Sequence, residues 1–298
     1  MRVLPVCAAL ALFFATSSFA KEPPGPVPAP KAVAKAAACA PASNLKDLEW
    51  NNVKALIETG GNMWQDRATS RASYEIPKNG GVSSLYAGSL WMGGRSSDKQ
   101  LKLAALTFRN SGNDYWTGPL STDQQAEIPA AECTKWDKFF VTYRQDALLH
   151  QQYFDCLENG TAAEKFPNGY AMPPYFSDYQ ANGNLALFQD HQLLPFYDRN
   201  GNTFYEPELG DYPGYDILKQ INCKERDSDD LVPLYGDINY SWIFNDKGNV
   251  HSESGGQPIG MEIRAQAFAY TTNDEVNNMT FYNYVLINQG SQQLHDTW

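Results

Sequence analysis

The 298-residue chain is poor in positive charge: 23 Lys and Arg stand against 34 Asp and Glu, for a formal net charge of -11. No Lys/Arg cluster interrupts that excess, so the chain repels phosphate backbones and nucleic acid is excluded as a partner. Recognisable catalytic spacings are missing as well. There is no C-x-x-C and no H-E-x-x-H, His150, His191 and His295 sit in unrelated contexts, and no carboxylate pair is spaced in a way that identifies a glycosidase. No internal repeat of about 20–50 residues stands out, which argues against a solenoid or a regular propeller. Apolar runs are short. The longest, Val3 to Phe14, falls short of the ~20 residues that a helix needs to span a bilayer.

That run is preceded by Arg2 and followed by Ser18 and Ala20 at A-x-A-like positions, so residues 1–20 read as a cleaved secretory signal with no transmembrane segment left after cleavage. Cys7 lies within the signal, before the end of the apolar run, where a lipoprotein cysteine would not be. Export leaves Cys39, Cys133, Cys156 and Cys223 in an oxidising compartment, an even set that reads as structural disulfides. Three connectivities are open. Cys133 with Cys156 would bracket a local segment, and Cys39 with Cys223 would tie the N-terminus to the middle of the chain.

Residues 21–38 are crowded with Pro23, Pro24, Pro26, Pro28 and Pro30 and carry no aromatic side chain, the composition of an extended spacer. No second linker follows, so residues 39–298 read as one β-rich domain. Ser84 to Phe108 carries a hairpin signal, with its turn at GGRSSDKQ. Gly260 to Tyr270 puts Met261, Ile263, Ala265, Ala267 and Ala269 on one face, and Met279 to Asn288 alternates likewise from Phe281, so both read as strands. Helical spacing occurs in YRQDALLHQQYFDCL after Thr142 and in Leu45 to Thr59. The expected fold is mainly β: antiparallel, sandwich-like sheets with long loops and one or two short helices. The chain ends at LHDTW directly after a strand and a turn, which reads as truncation of the domain at its C-terminal end.

Three constellations could carry chemistry. Asp198, Asn200 and Asn202, with the Phe204 carbonyl and Asp211, have the alternating oxygens of a calcium loop, although Thr203 stands where such a loop wants Gly and Leu209 where it wants Glu. The alternative is an Asx-rich turn that needs no metal; any calcium would be structural. His251 and Glu253 would face one way in an extended segment, as an acid-base pair requires, but a third group is missing. Asp114, beside Tyr115 and Trp116, is the remaining weak catalytic candidate. Seven Trp and 17 Tyr also invite a carbohydrate-binding reading. Trp64, Tyr115 and Trp116 lie beside turn residues and are its surface candidates, whereas Trp91, Tyr282 and Tyr284 fall in strand patterns where packing is the default.

Five strings together carry a resemblance: NNVKALIETGGNMWQDR from Asn51, LYAGSLWMGG from Leu85, GNDYWTGPL from Gly112, the Asp198 to Pro213 loop ending GDYP, and FNDKGNVHSESGGQPIGMEIRAQAFAY from Phe244. They resemble the N-terminal region of a family of large exported bacterial surface proteins that often end in a type IX secretion sorting domain. The resemblance implies export, a cell-surface location and further β-structure downstream. It brings no enzymatic activity, and the family pattern has Asp-Gly where this chain has Asn202 and Thr203. The expected function is therefore that of a secreted or surface protein that binds or builds the envelope and is not a classical enzyme. Its expected partners are cell-surface glycans or other envelope proteins, and the alternative is a polysaccharide-binding or polysaccharide-degrading module.

Overall fold

Leu45 to Thr59, read above as helical, is a hairpin: β1 (Leu45–Leu48) pairs antiparallel with β2 (Lys54–Glu58), Leu48 opposite Ala55. Asn51 makes the reversal. Its side-chain oxygen accepts from the Val53 N–H, and its amide donates to the carbonyls of Tyr270 and Met279. This long-range bridge favours a turn over a continued helix and leaves Val53, Ala55 and Ile57 buried at period two. The computed structural model describes residues 38–108, 112–189, 192–214 and 235–298. Residues 1–20, all but the last residue of the 21–38 spacer, His191 and Cys223 lie outside the described residues.

Short strands β3 (Gln65–Asp66) and β4 (Arg71–Ala72) form a ribbon, and β5 (Tyr74–Glu75) adds to β2. The expected hairpin is β6 (Met92–Ser96) with β7 (Leu101–Ala104), Met92 opposite Ala104. There follow β8 (Trp116–Thr117), α1 (Ala130–Lys135), β9 (Phe140–Tyr143) and α2 (Arg144–Glu158), the last matching the helical spacing after Thr142. Two one-turn helices, α3 (Ala162–Lys165) and α4 (Pro174–Ser177), precede the ribbon of β10 (Phe196–Tyr197) and β11 (Tyr212–Pro213). The chain then forms β12 (Ile238–Asn245), β13 (Met261–Ala269) and β14 (Phe281–Asn288), and β15 (Leu294–His295) returns to pair with β6. The fold is mainly antiparallel β with few short helices.

The main sheet runs β14-β13-β12, with β8 and β9 sharing the far edge of β12. Every residue of β12 is buried, because both faces of this central strand are covered. On one face Ile238, Tyr240, Trp242 and Phe244 join Ile263, Ala265, Ala267 and Ala269 and pack against Leu48, Ile57, Met92 and Ala104 from the smaller sheets. Register explains the alanines: Trp242 stands opposite Ala265 and Ala265 opposite Tyr284, so a small residue on the middle strand makes room for a ring on each side. On the other face Ile243 meets Trp136, Phe140, Tyr179, Leu193 and Leu194, supplied by β9 and irregular chain. The layering is sandwich-like on the first face only.

A disulfide joins Cys39 to Cys133, with Cα atoms 5.9 Å apart. It lies in a third cluster with Trp116, Leu120, Ala126 and Ile128, and ties the start of the described chain to α1. Of the three connectivities open in the sequence, the paired-cysteine reading now retains only Cys39–Cys133 with Cys156–Cys223.

Candidate functional site

The weak catalytic candidates Asp114 and His251 meet, but deep in the protein. The turn after β12 places Asp246 and His251, and the segment leading into β8 places Asp114; all three side chains are shut off from solvent. Gly248 permits this, since a Cβ there would lie 2.6 Å from Trp116 and 3.0 Å from Cys39 Sγ. His251 donates through Nδ1 to the Leu103 carbonyl at 2.7 Å and through Nε2 to the Asp246 carbonyl at 2.5 Å. The ring faces Asp114 Oδ2 at 3.7 Å and Asp246 Oδ2 at 3.9 Å.

The carboxylates are directed at backbone. Asp246 accepts from the amides of Ile259, Gly260 and Met261, and Asp114 from those of Ala105, Glu253 and Ser254. Burial pushes the Asp246 carboxyl above the usual carboxylate range, against the opposing pull of those amides and of His251. Glu253 turns elsewhere, to the Thr107 hydroxyl and, at 2.6 Å, to the Gly112 amide. A Cβ on Gly112 would lie 2.3 Å from the Ser252 backbone, so this crossing needs glycine. The arrangement fastens two loops to β12 and β13. It leaves Asp114 and His251 no open side at which a substrate could sit.

The loop from Asp198 closes on its own amides. Asp198 accepts from the amides of Gly201, Asn202 and Thr203, Asn200 from that of Asn202, and Asn202 from that of Phe204. Thr203, in the glycine position, takes φ +70°, the left-handed conformation that glycine normally supplies. Asp211 is buried, its carboxylate receiving the Arg199 and Glu206 amides at 2.8 Å each. Burial raises its carboxyl above the usual range, and Asp198 and Glu206 raise it further. Arg199 turns away to Asp155 and Glu158 on α2, at 2.7 and 2.9 Å. The oxygens of Asp198, Asn200 and Asn202 keep lone pairs after these bonds, so the donor chemistry fits a hard cation held largely by amide and backbone oxygens. No group of three or more His, Cys, Asp or Glu suited to a metal occurs among the described residues.

The aromatic assignments hold for Tyr282 and Tyr284, which pack on the main core, and reverse for the others. Tyr115 and Trp116 are buried, and Trp64 packs on Tyr74 and Tyr282, donating its indole N–H to the Tyr282 hydroxyl. Trp91 is 63% exposed, with Tyr86 at 47% and Phe108 at 54%. These three rings line an open cleft of about 390 Å³ with Asn62, Ser89 and Thr107. Sequence pattern pointed to the wrong rings because Trp91 directly precedes β6 and shares its alternation, while Tyr115 and Trp116 follow a loop yet enter the core beside β12. Tyr86, Phe108 and Asp246 were missed for the same reason: nothing local marks which side of a short strand faces water.

Comparison with known protein families, with curated proteins and with solved structures finds no match for this chain.

Proposed function

We propose that this is an exported protein of the bacterial cell surface that acts by binding, with the 198–211 loop held by a structural calcium ion. One observation carries the binding reading: the acid and histidine candidates Asp114 and His251 are buried and bonded to backbone, while the open cleft at Trp91 is lined by rings and, among the described residues, by no carboxylate. A polysaccharide-degrading enzyme needs two carboxyl groups facing each other across an open site, about 5–10 Å apart. Buried Asp114 cannot serve in that way, and the half-buried Glu253 is bonded to the Thr107 hydroxyl and the Gly112 amide. Export rests on the signal-like first 20 residues, the even cysteine set and the sequence resemblance.

The test is fractionation of cells producing the full chain, with N-terminal sequencing of the product. The expected result is a mature protein beginning near Lys21 that protease added to intact cells degrades. An uncleaved chain protected inside the cytoplasm overturns the reading. Incubation with soluble polysaccharides should release no new reducing ends.

A further inference from the structure

We infer that the cleft between Tyr86, Trp91 and Phe108 is a binding site for a neutral polysaccharide segment. This rests on the binding reading above and names its ligand. The polar tips of two rings are already bonded within the protein. The Trp91 indole N–H lies 2.7 Å from the Leu106 carbonyl and 3.1 Å from Ser89 Oγ, and the Tyr86 hydroxyl lies 2.9 Å from the Ser70 carbonyl. What these rings leave to solvent is therefore mostly carbon. Phe108 meets Tyr86 edge-on, with centroids 6.0 Å apart, so the rings are not stacked on one another. Leaving large aromatic faces in water forgoes roughly 25 cal/mol per Å² of burial, and a cluster of such faces marks an interaction site.

The walls are held from behind. Ser89 donates to the Leu106 carbonyl at 2.8 Å, Gly88 and Met63 exchange backbone bonds of 2.8 and 2.9 Å, and Gln65 donates to the Phe108 carbonyl at 2.9 Å. A rigid frame lowers the ordering cost of binding. The size and chemistry select the ligand. A cleft of about 390 Å³ lies at the small-ligand end of sites, which run from about 300 to 1,000 Å³. A sugar ring presents C–H groups on its faces and hydroxyls around its rim. The aromatic faces take the first; for the second, the Ser89 and Thr107 oxygens, whose own hydrogens go to Leu106 and Glu253, keep acceptor lone pairs at the cleft. No lining residue among the described residues is charged, and the chain as a whole is acidic, which disfavours a uronate or sulfate.

The experiment is affinity electrophoresis of the full chain through gels containing laminarin, xylan, galactomannan or dextran, with hyaluronan as the polyanionic comparison. At least one neutral polysaccharide should retard the protein, and hyaluronan should not. Trp91→Ala and Tyr86→Ala should each weaken retardation at least tenfold, while Trp50→Ala, at a separate exposed ring, leaves it unchanged. Circular dichroism checks that each variant is folded, and Phe108→Ala replaces either one that is not. Absence of retardation in every neutral gel, retardation by hyaluronan alone, or retardation that survives every cleft substitution overturns the site. Capture of an apolar dye at Trp91 without any polysaccharide binding also overturns the glycan assignment. None of these outcomes bears on export, which the cleaved N-terminus reads separately.

Discussion

His251 donates its Nε2 hydrogen to the backbone carbonyl of Asp246, the residue whose carboxylate also accepts the amides of Ile259, Gly260 and Met261. One residue thus closes the 246–261 loop from both ends, by its carbonyl and by its side chain. His251→Leu removes the ring's bond to each of the two carbonyls; Leu103 keeps the Ser254 hydroxyl at 3.3 Å, whereas the Asp246 carbonyl loses its ring donor. At about 1–3 kcal/mol for an unsatisfied buried group, the expected loss is about 1–3 kcal/mol in urea unfolding. A loss below about 0.5 kcal/mol would show that water reaches these carbonyls, and that the histidine is no fastening.

Cys39 and Cys133 are 94 residues apart, so their bond restricts a long loop of the unfolded chain. Cys133→Ser should cost about 2–5 kcal/mol. Peptide mapping without reductant should recover a Cys39–Cys133 linked peptide. If the four cysteines beyond residue 20 are all paired, the same map yields Cys156 linked to Cys223, and no thiol is alkylated before reduction. A Cys133–Cys156 peptide would contradict the described pairing.

What could be read in the sequence was whatever depended on local periodicity. Met261 to Ala269 alternates cleanly because one face of β13 meets the rings of β12 and β14, and that alternation is visible without knowing the partners. The helix at Arg144–Glu158 was legible for the same reason. Leu45 to Thr59 was not, because the turn at Asn51 is made by the carbonyls of Tyr270 and Met279, more than two hundred residues away. The Trp91 cleft was hidden in a similar way. Whether an aromatic ring beside a short strand is buried depends on which segment crosses it, and in this protein the crossing segments come from distant parts of the chain.

His150 predicts a response to acid. It is the buried polar residue of α2, among the rings of Phe154, Tyr170, Phe176 and Tyr212, with Nδ1 2.8 Å from the Tyr170 hydroxyl. Burial pulls its pKa down to about 4, with Arg199 adding to the fall and the backbone of Pro207 and Asp211 and the charge of Glu208 opposing it. The unfolded chain takes up this proton near pH 6.5, well before the folded one does. Its contribution to stability is therefore full above about pH 6.5 and falls as the pH drops toward 4. His150→Phe should flatten the decline of melting temperature across that window, relative to the native sequence. Identical slopes would mean that the ring is solvated enough to titrate normally.

Thr203 supplies the sharpest test of the calcium loop. A β-branched residue at φ +70° is strained, because its Cβ crowds the backbone where glycine has only hydrogen. Thr203→Gly relieves the crowding and should gain about 1 kcal/mol even in chelator, provided the loop keeps this shape without a cation. If the cation itself enforces the shape, the gain instead appears as tighter binding, because less strain then opposes closure. Melting curves in chelator and in millimolar calcium separate the two cases. For the native sequence calcium should raise the midpoint by an amount that follows RT ln(1 + [L]/Kd), and in the second case Thr203→Gly should reach the same rise at lower calcium. Asp198→Ala lowers the midpoint in chelator as well, since three loop amides lose their acceptor, so its diagnostic is the calcium-induced rise, which should vanish. Superimposable native curves with and without calcium would identify the loop as a polar turn closed by its own amides, with the repulsion at Asp211 borne by the Arg199 and Glu206 N–H groups alone.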